Sequence, residues 1–359
     1  MSRYDAFVTC LPGLEPVLEE ELREKGIGGE LKSVRGGVEL TLDLDGLHRA
    51  NRELGVAQQV RVRIARFPAK KLPALARQAA EVDFTPWLRK DRPLRIRVKS
   101  RKSVLYHTGA IAERVLRAVT DQVGAFEEED GQQLLVRVEN NEVEISFDCS
   151  GEPLHRRGYR LALAKAPLRE DLACALLRVS GWDRTSALVD PMMGSGTIPI
   201  EAAMLASGRA PNGGRRFVLD DAPIASKPYV APESELREVP TIIGSDRDAG
   251  AVEAANANAE RAGVLADLAL SKAPLAGCPG WNEERATLVT NPPFGRRVGA
   301  SKKLRPLFGA IGAKLRERSK WGAAFVYPDS NLSKMLGVDL ESALLTDHGG
   351  IKVRFLRKR

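Results

Sequence analysis

Cysteine is scarce in this chain, with four among 359 residues. Cys10, Cys149, Cys174 and Cys278 are scattered and form no Cys-x-x-Cys pair. Neither a zinc site nor a disulfide framework is expected, and the pattern suits a reducing cytosol. Histidine is as rare, at four residues that do not cluster, so no metal is expected to carry the chemistry. No apolar run approaches ~18 residues, which excludes a transmembrane helix. Met1-Ser2-Arg3-Tyr4-Asp5 lacks the apolar core of a signal peptide. Internal repeats and low-complexity tracts are absent. A cytoplasmic monomer is expected.

What is present begins with size. At ~150 residues per domain the chain has room for two or three domains, and 43% apolar residues suffice for ordinary cores. The net charge of +8 is unevenly spread. Between Arg61 and Thr120 there are 16 Lys or Arg against 4 Asp or Glu. The next thirty residues reverse this, with 9 acids, Glu127-Glu128-Glu129-Asp130 among them, against Arg137 alone. The stretch Arg92-Pro93-Leu94-Arg95-Ile96-Arg97-Val98-Lys99 alternates cations with apolar residues, which predicts a strand with one cationic and one buried face. With Arg101 and Lys102 it forms a strip suited to a phosphate backbone, although a solvated surface would read the same way.

Two strings about a hundred residues apart carry the chemistry. Asp190-Pro191-Met192-Met193-Gly194-Ser195-Gly196-Thr197 follows the β-branched run Ser186–Val189 and opens a helix to Ala206 with Pro199 in its first turn. Gly194 and Gly196 allow positive φ and close approach of a ligand. The string is not a dinucleotide fingerprint, because Pro199 occupies the place of the third Gly, and it is not a P-loop, because no Gly-Lys-Ser/Thr follows. A plain strand–turn–helix would also satisfy it. Asn291-Pro292-Pro293-Phe294 follows the strand-like run Ala286–Thr290. A side-chain oxygen on Asn291 and the carbonyl of Pro292, both stiffened by proline, can accept two hydrogen bonds from one exocyclic amino group, and Phe294 can face the base. Between the strings, Ile242-Ile243-Gly244-Ser245-Asp246 ends in an acid placed to accept bonds from ribose hydroxyls, or merely to cap the helix from Ala249 to Ala262.

These strings resemble the motifs of S-adenosylmethionine-dependent methyltransferases acting on exocyclic amines. Leu154-His155-Arg156-Arg157-Gly158-Tyr159-Arg160, Ala166-Pro167-Leu168-Arg169-Glu170 and the opening Ala6–Glu15 narrow the resemblance to the THUMP-domain RNA guanine-N2 methyltransferases, over essentially the whole chain. The resemblance implies an α/β fold. A ferredoxin-like unit (1–57) and a THUMP domain (58–150) would precede a Rossmann-like class I methyltransferase domain (151–359). It implies S-adenosylmethionine as cofactor, held by Asp190, Gly194, Gly196 and Asp246 with Arg169 and Glu170 as further candidates. Asn291, Pro292 and Phe294 would present the guanine amino group, and RNA would be the partner, gripped by Arg95, Arg97, Lys99, Arg101 and Lys102. The substrate expected is the large-subunit rRNA. The alternatives are transfer RNA, an adenine-N6 or DNA amino-methyltransferase, and a non-catalytic RNA-binding or assembly protein. A sulfur-transfer enzyme is disfavoured because no Ser-Gly-Gly-x-Asp-Ser loop is present.

Two departures stand out. Met193 occupies a place where that family often has Cys. The third cofactor strand, 267–273, ends in Lys272-Ala273 where an Asp usually meets the adenine amino group, and Asp267 lies before the strand. Elsewhere, strands are expected near 6–9 and 36–42, helices near 14–25 and 109–123, and a hairpin across Asn140-Asn141, a pair that tolerates positive φ. The Pro- and Gly-rich segment 207–240 is long enough to be functional, and a substrate lid is the expectation. The chain should close with a hairpin over 343–355.

Overall fold

The structure is a computed structural model that describes residues 2–90, 92–128, 131–161, 168–231, 236–294, 300–328 and 331–359. Of the stretches singled out above, Glu129, Asp130, Ala166, Pro167 and residues 232–235 of the segment 207–240 lie outside the described residues.

The front half forms one seven-stranded sheet. Its strands are β1 (Tyr4–Thr9), β2 (Leu31–Val34), β3 (Gly37–Leu42), β4 (Gln59–Pro68), β5 (Leu94–Arg101), β6 (Gln132–Glu139) and β7 (Glu142–Asp148), in spatial order β2-β3-β1-β4-β7-β6-β5. Helices α1 (Glu15–Glu24), α2 (Leu44–Glu53), α3 (Leu72–Ala80) and α4 (Thr108–Val123) accompany it. Alternation along the strands explains one apolar face: Ala6, Val8, Val60, Val62, Leu134, Val136, Ile145 and Phe147 are buried in a common core with Leu18, Leu22 and Val115 of the helices. The hairpin turns at Asn140 and Asn141, with φ of 52° and 65°. β4 pairs with both β1 and β7, so the expected units 1–57 and 58–150 meet inside a single sheet.

The back half carries β8 (Ala187–Asp190), β9 (Ile242–Asp246), β10 (Leu268–Lys272), β11 (Ala286–Thr290), β12 (Gly322–Tyr327), β13 (Leu340–His348) and β14 (Ile351–Lys358), with α5 (Glu170–Val179), α6 (Thr197–Ser207), α7 (Ala249–Arg261), α8 (Ala300–Glu317) and α9 (Leu332–Leu336). The spatial order is β10-β9-β8-β11-β12-β14-β13. The first five strands are parallel, and β13 and β14 form the closing antiparallel hairpin. β8 and β11 are buried at every residue, as central strands of a parallel sheet covered on both faces should be. The order reverses at β8, and the crevice beyond the carboxyl ends of strands at such a switch point is where α/β sheets bind ligands.

The halves dock through buried ion pairs. Glu21 of α1 accepts hydrogen bonds from the backbone N–H groups of Gly55 and Val56, both at 2.9 Å, and pairs with Arg178 of α5 at 2.9 Å. Arg157 donates to the Gly55 carbonyl at 2.5 Å. The described part of the segment expected to be a lid also contacts the front half. Asp220 accepts from Arg52 of α2 at 2.8 Å and stands 3.2 Å from His48, while Tyr229 stacks on His48 with ring centroids 4.5 Å apart. The Ile224 N–H donates to the Pro86 carbonyl at 2.8 Å. Segment 207–231 is therefore a strap fastening the back half to the front sheet. No described helix is long and apolar enough to cross a membrane.

Candidate active site

The parallel register brings the singled-out residues to one edge of the back sheet. Asp190 ends β8, Asp246 ends β9, Lys272 ends β10 and Asn291 follows β11. β8 is the central strand, with β9 on one side and β11 on the other.

The glycine loop is built around Asp246. Its carboxylate is half-buried and accepts from the Gly194 N–H at 3.0 Å and the Asp248 N–H at 3.0 Å. Each oxygen keeps a lone pair, so two further donors can be accommodated. The Met193 N–H donates to the Ser245 carbonyl at 3.1 Å, and Asn258 of α7 donates to the Ser195 carbonyl at 3.0 Å. Gly196 has φ +83°, and a Cβ there would meet the Ala255 Cβ at 2.9 Å; its glycine is required by loop packing against α7. Met193 is buried, and a Cβ on Gly244 would stand 2.5 Å from its sulfur. The longer Met side chain fits because Gly244 has none.

Asp190 is 1% exposed. It accepts from the Thr290 hydroxyl at 2.7 Å and the Met192 N–H at 3.2 Å. Burial pushes its carboxyl up to about 7, the Asp246 charge adds to the rise, and the two hydrogen bonds oppose it. The hydroxyl bond ties the end of β11, one residue before Asn291, to the end of β8. Thr290 was not marked in the sequence; its only signal there is a hydroxyl at the last position of an apolar strand.

Asn291 is half-buried, and its side-chain oxygen is sealed from solvent without a hydrogen-bond partner. A buried amide oxygen left empty costs free energy of ~1–3 kcal/mol, and a donor arriving from a ligand removes that cost. Pro292 is buried beside it. Phe294 stands edge-on to Tyr327, with centroids 6.3 Å apart and planes at 88°. Tyr327 ends β12 and is braced in turn by Phe308 at 5.4 Å. It is a second residue that sequence reasoning passed over. Gly295, which follows Phe294, lies outside the described residues.

Arg169 and Glu170 open α5. Arg169 pairs with Asp171 at 2.6 Å, and Glu170 is 2% exposed and pairs with Arg160 at 3.0 Å. One Glu170 oxygen is buried without a partner, and burial raises its pKa. At the β10 end, Lys272 is exposed and the Ala273 N–H donates to the Asp246 carbonyl at 3.0 Å, so this corner offers no carboxylate among the described residues.

The cationic strip lies on β5, the edge strand of the front sheet. Leu94 and Ile96 point into the core, Arg95 is half-buried, and Arg97, Lys99 and Arg101 are exposed on the opposite face. Lys102 follows in a left-handed conformation, φ +49°.

Comparison with known proteins places the chain. Residues 157–342 match a family model described as the RMKL-like methyltransferase domain, and residues 5–61 match one described as the RlmL ferredoxin-like domain. A ribosomal RNA large subunit methyltransferase K/L from Syntrophotalea carbinolica is 32% identical, over 98% of this chain and 53% of that protein. This chain spans about half the length of most of the curated relatives it matches. A putative RNA methyltransferase YpsC from Bacillus subtilis is 30% identical over 94% of this chain and 91% of its own length. A crystal structure from Listeria monocytogenes, described as a predicted N6-adenine-specific DNA methylase, is 27% identical, with a TM-score of 0.84 over 99% of this chain and 96% of that one.

Proposed function

This chain belongs to the family of RMKL-like methyltransferase domains, and on that premise we propose that it transfers a methyl group from S-adenosylmethionine to the exocyclic N2 of a guanine in structured RNA, large-subunit rRNA first. The observation that carries this is the empty, buried side-chain oxygen of Asn291 at the switch-point edge. Bound S-adenosylmethionine supplies an electrophilic methyl group. The residues of this chain do the rest by position, and orientation of two reactants is worth at best ~7–11 kcal/mol.

Asp246 holds the ribose with its spare lone pairs, Gly194 and its loop shape the floor, and Asp190 sets the loop from beneath through Thr290 and Met192. Arg169 and Glu170 fix the start of α5 beside the Arg157–Tyr159 segment. A guanine amino group is a poor nucleophile because its lone pair is delocalised into the ring. Two acceptors, Asn291 and the Pro292 carbonyl, favour the geometry that localises it. Phe294 stacks on the base. The base must be unpaired or flipped, at a few kcal/mol. Arg97, Lys99 and Arg101 of the THUMP-like segment grip the phosphates.

Single-turnover transfer of labelled methyl to rRNA and to transfer RNA, followed by nucleoside analysis, tests the reading. N2-methylguanosine in rRNA is expected. Product only in transfer RNA moves the substrate, and N6-methyladenosine overturns the base assignment. A second reading rests on Lys272-Ala273, where no acid meets the adenine: a non-catalytic RNA-binding protein. Titration calorimetry with S-adenosylmethionine separates the two, because only the binder should give no heat.

A further inference from the structure

The open face of the front sheet holds a cation that the proposed chemistry does not use. Arg61 is half-buried near the start of β4, between the buried Val60 and Val62. Its side chain therefore leaves the sheet on the open face, as that of Arg63 does two residues on. The register carries this face across four strands. Arg63 stands opposite Ser146 of β7, Ser146 opposite Leu135 of β6, and Leu135 opposite Arg97 of β5. Arg137, two residues after Leu135, stands opposite Lys99. Arg61, Arg97 and Arg137 thus rise from one face of one sheet. From β4 to β5 is three strand spacings, ~14 Å, a gap that long arginine side chains narrow from both sides.

Electrostatics set Arg61 apart from its neighbour. Arg63 is paired with Glu39 at 2.7 Å and Glu144 at 2.9 Å. Arg61 has no ion pair among the described residues, although Asp148 stands opposite it in register. The Asp148 carboxylate is spent elsewhere. It accepts from the Ser150 N–H at 2.9 Å, the Gly151 N–H at 3.3 Å and the Gln59 side-chain amide at 2.8 Å. Arg61 donates to the Gln59 side-chain oxygen at 2.6 Å, and its Nε is sealed from solvent with no partner. Burial lowers its pKa, Asp148 and Glu144 oppose the fall, and Arg97 and Arg137 add to it. A half-buried guanidinium left unpaired and repelled by two others is unfavourable for folding. An anion laid among the three supplies the missing acceptor and offsets the repulsion. The other two are free to share it. Arg97 is exposed with no ion pair among the described residues, and Arg137 pairs only with Glu139, in a contact open to solvent.

The three cations are spread over three strands and are not gathered on one point. That spacing suits a row of phosphates on a polymer better than one free ion. The β4 end of the row adjoins the back half, because Gln58, just before β4, donates to Asp171 of α5 at 3.3 Å. We infer that Arg97, Arg137 and Arg61 seat phosphates of one RNA strand that runs inward across the open face, from the β5 edge to the start of β4. This rests on the RNA reading above and adds to it a route. The strand enters at the strip on β5 and leaves at Arg61 towards the back half.

The test is fluorescence anisotropy of the full chain with a labelled single-stranded oligouridylate, repeated at several salt concentrations. Arg61→Met should reduce the slope of log affinity against log salt by ~0.7, the single-strand value for one phosphate, which is about fivefold in affinity over the decade from 1 M down to 0.1 M salt. Arg61→Lys keeps a charge and should keep the slope. Arg61→Gln should lose the slope as Arg61→Met does, and serves if Arg61→Met does not fold. Thermal melting separates a phosphate seat from a structural arginine. No acid answers Arg61 and burial opposes its charge, so Arg61→Met should melt no lower than wild type. Lower melting with an unchanged slope makes Arg61 structural and overturns the inference. An unchanged slope in Arg61→Met beside a reduced one in Arg97→Ala overturns it too, and leaves the RNA reading standing. If the wild-type chain binds neither oligouridylate nor rRNA, both fall.

Discussion

The two seven-stranded sheets of this chain solve different problems. In the back sheet β8 and β11 are covered on both faces, and everything polar that matters is gathered at strand ends. There single atoms count: one Asn291 oxygen, one Thr290 hydroxyl, two carboxylates. In the front sheet one face remains open, and polar groups spread along the strands. Even that face divides in two. On β4 Arg63 is answered: it pairs with Glu39 at 2.7 Å and Glu144 at 2.9 Å, and lies 5.3 Å over the Phe7 ring. At the β5 edge Arg97, Lys99 and Arg101 are exposed, with no ion pair among the described residues. Charge that is paired builds the sheet, and charge that is left over is available to a partner.

The sharpest way to break the comparison is at the back-sheet edge. Asn291→Ala should lower single-turnover methyl transfer by ~10²–10³, the usual cost of one preorganised hydrogen bond at a reacting centre, with S-adenosylmethionine affinity largely retained in calorimetry. A wild-type rate would remove Asn291 from the chemistry. Asp246→Ala should do the reverse. It removes a charged acceptor worth ~1.5–3 kcal/mol, and that loss should appear as weaker cofactor binding in titration calorimetry.

Asp190 offers a third cut, through pH. Burial raises its pKa to about 7, so the native protein holds a proton that the unfolded chain has released. The stability this contributes is fully present below the ordinary carboxylate range near pH 4, and is lost as pH rises through about 7. Asp190→Asn keeps an oxygen for Thr290 and cannot titrate. Across this window the wild type should lose stability relative to the variant, with a slope of up to ~1.4 kcal/mol per pH unit. Parallel denaturant-derived stability curves would show that Asp190 is ionised throughout.

The sequence revealed much of this where neighbours in the chain do the work. The Asp190–Thr197 string had to be a strand end, a turn and a helix start, because two glycines and a first-turn proline leave few other conformations. The period of two between Leu94 and Arg101 disclosed both faces of β5. Contacts that depend on topology stayed hidden. Thr290 meets Asp190 across 100 residues only because β8 and β11 are adjacent. Arg52 meets Asp220 across 168 residues, and the Pro- and Gly-rich composition that suggested a lid suits a strap equally well. The room that Gly244 makes for Met193 is a contact between β9 and the glycine loop, and no spacing records it.

The front sheet should respond more gently and more additively. Replacing Arg97, Lys99 and Arg101 by Ala one at a time should weaken RNA binding in modest steps. Each lost phosphate contact should reduce the slope of log affinity against log salt by ~0.7–0.9. S-adenosylmethionine binding should not change, because these side chains lie on the other sheet. Arg63→Ala is the control that sharpens the contrast. It breaks a lattice whose acids would be left near one another, so it should lower thermal stability while leaving the salt slope as it was. If Arg63→Ala instead flattens the slope as much as Arg97→Ala, the paired and unpaired halves of the face are not distinct, and RNA is reading the whole sheet.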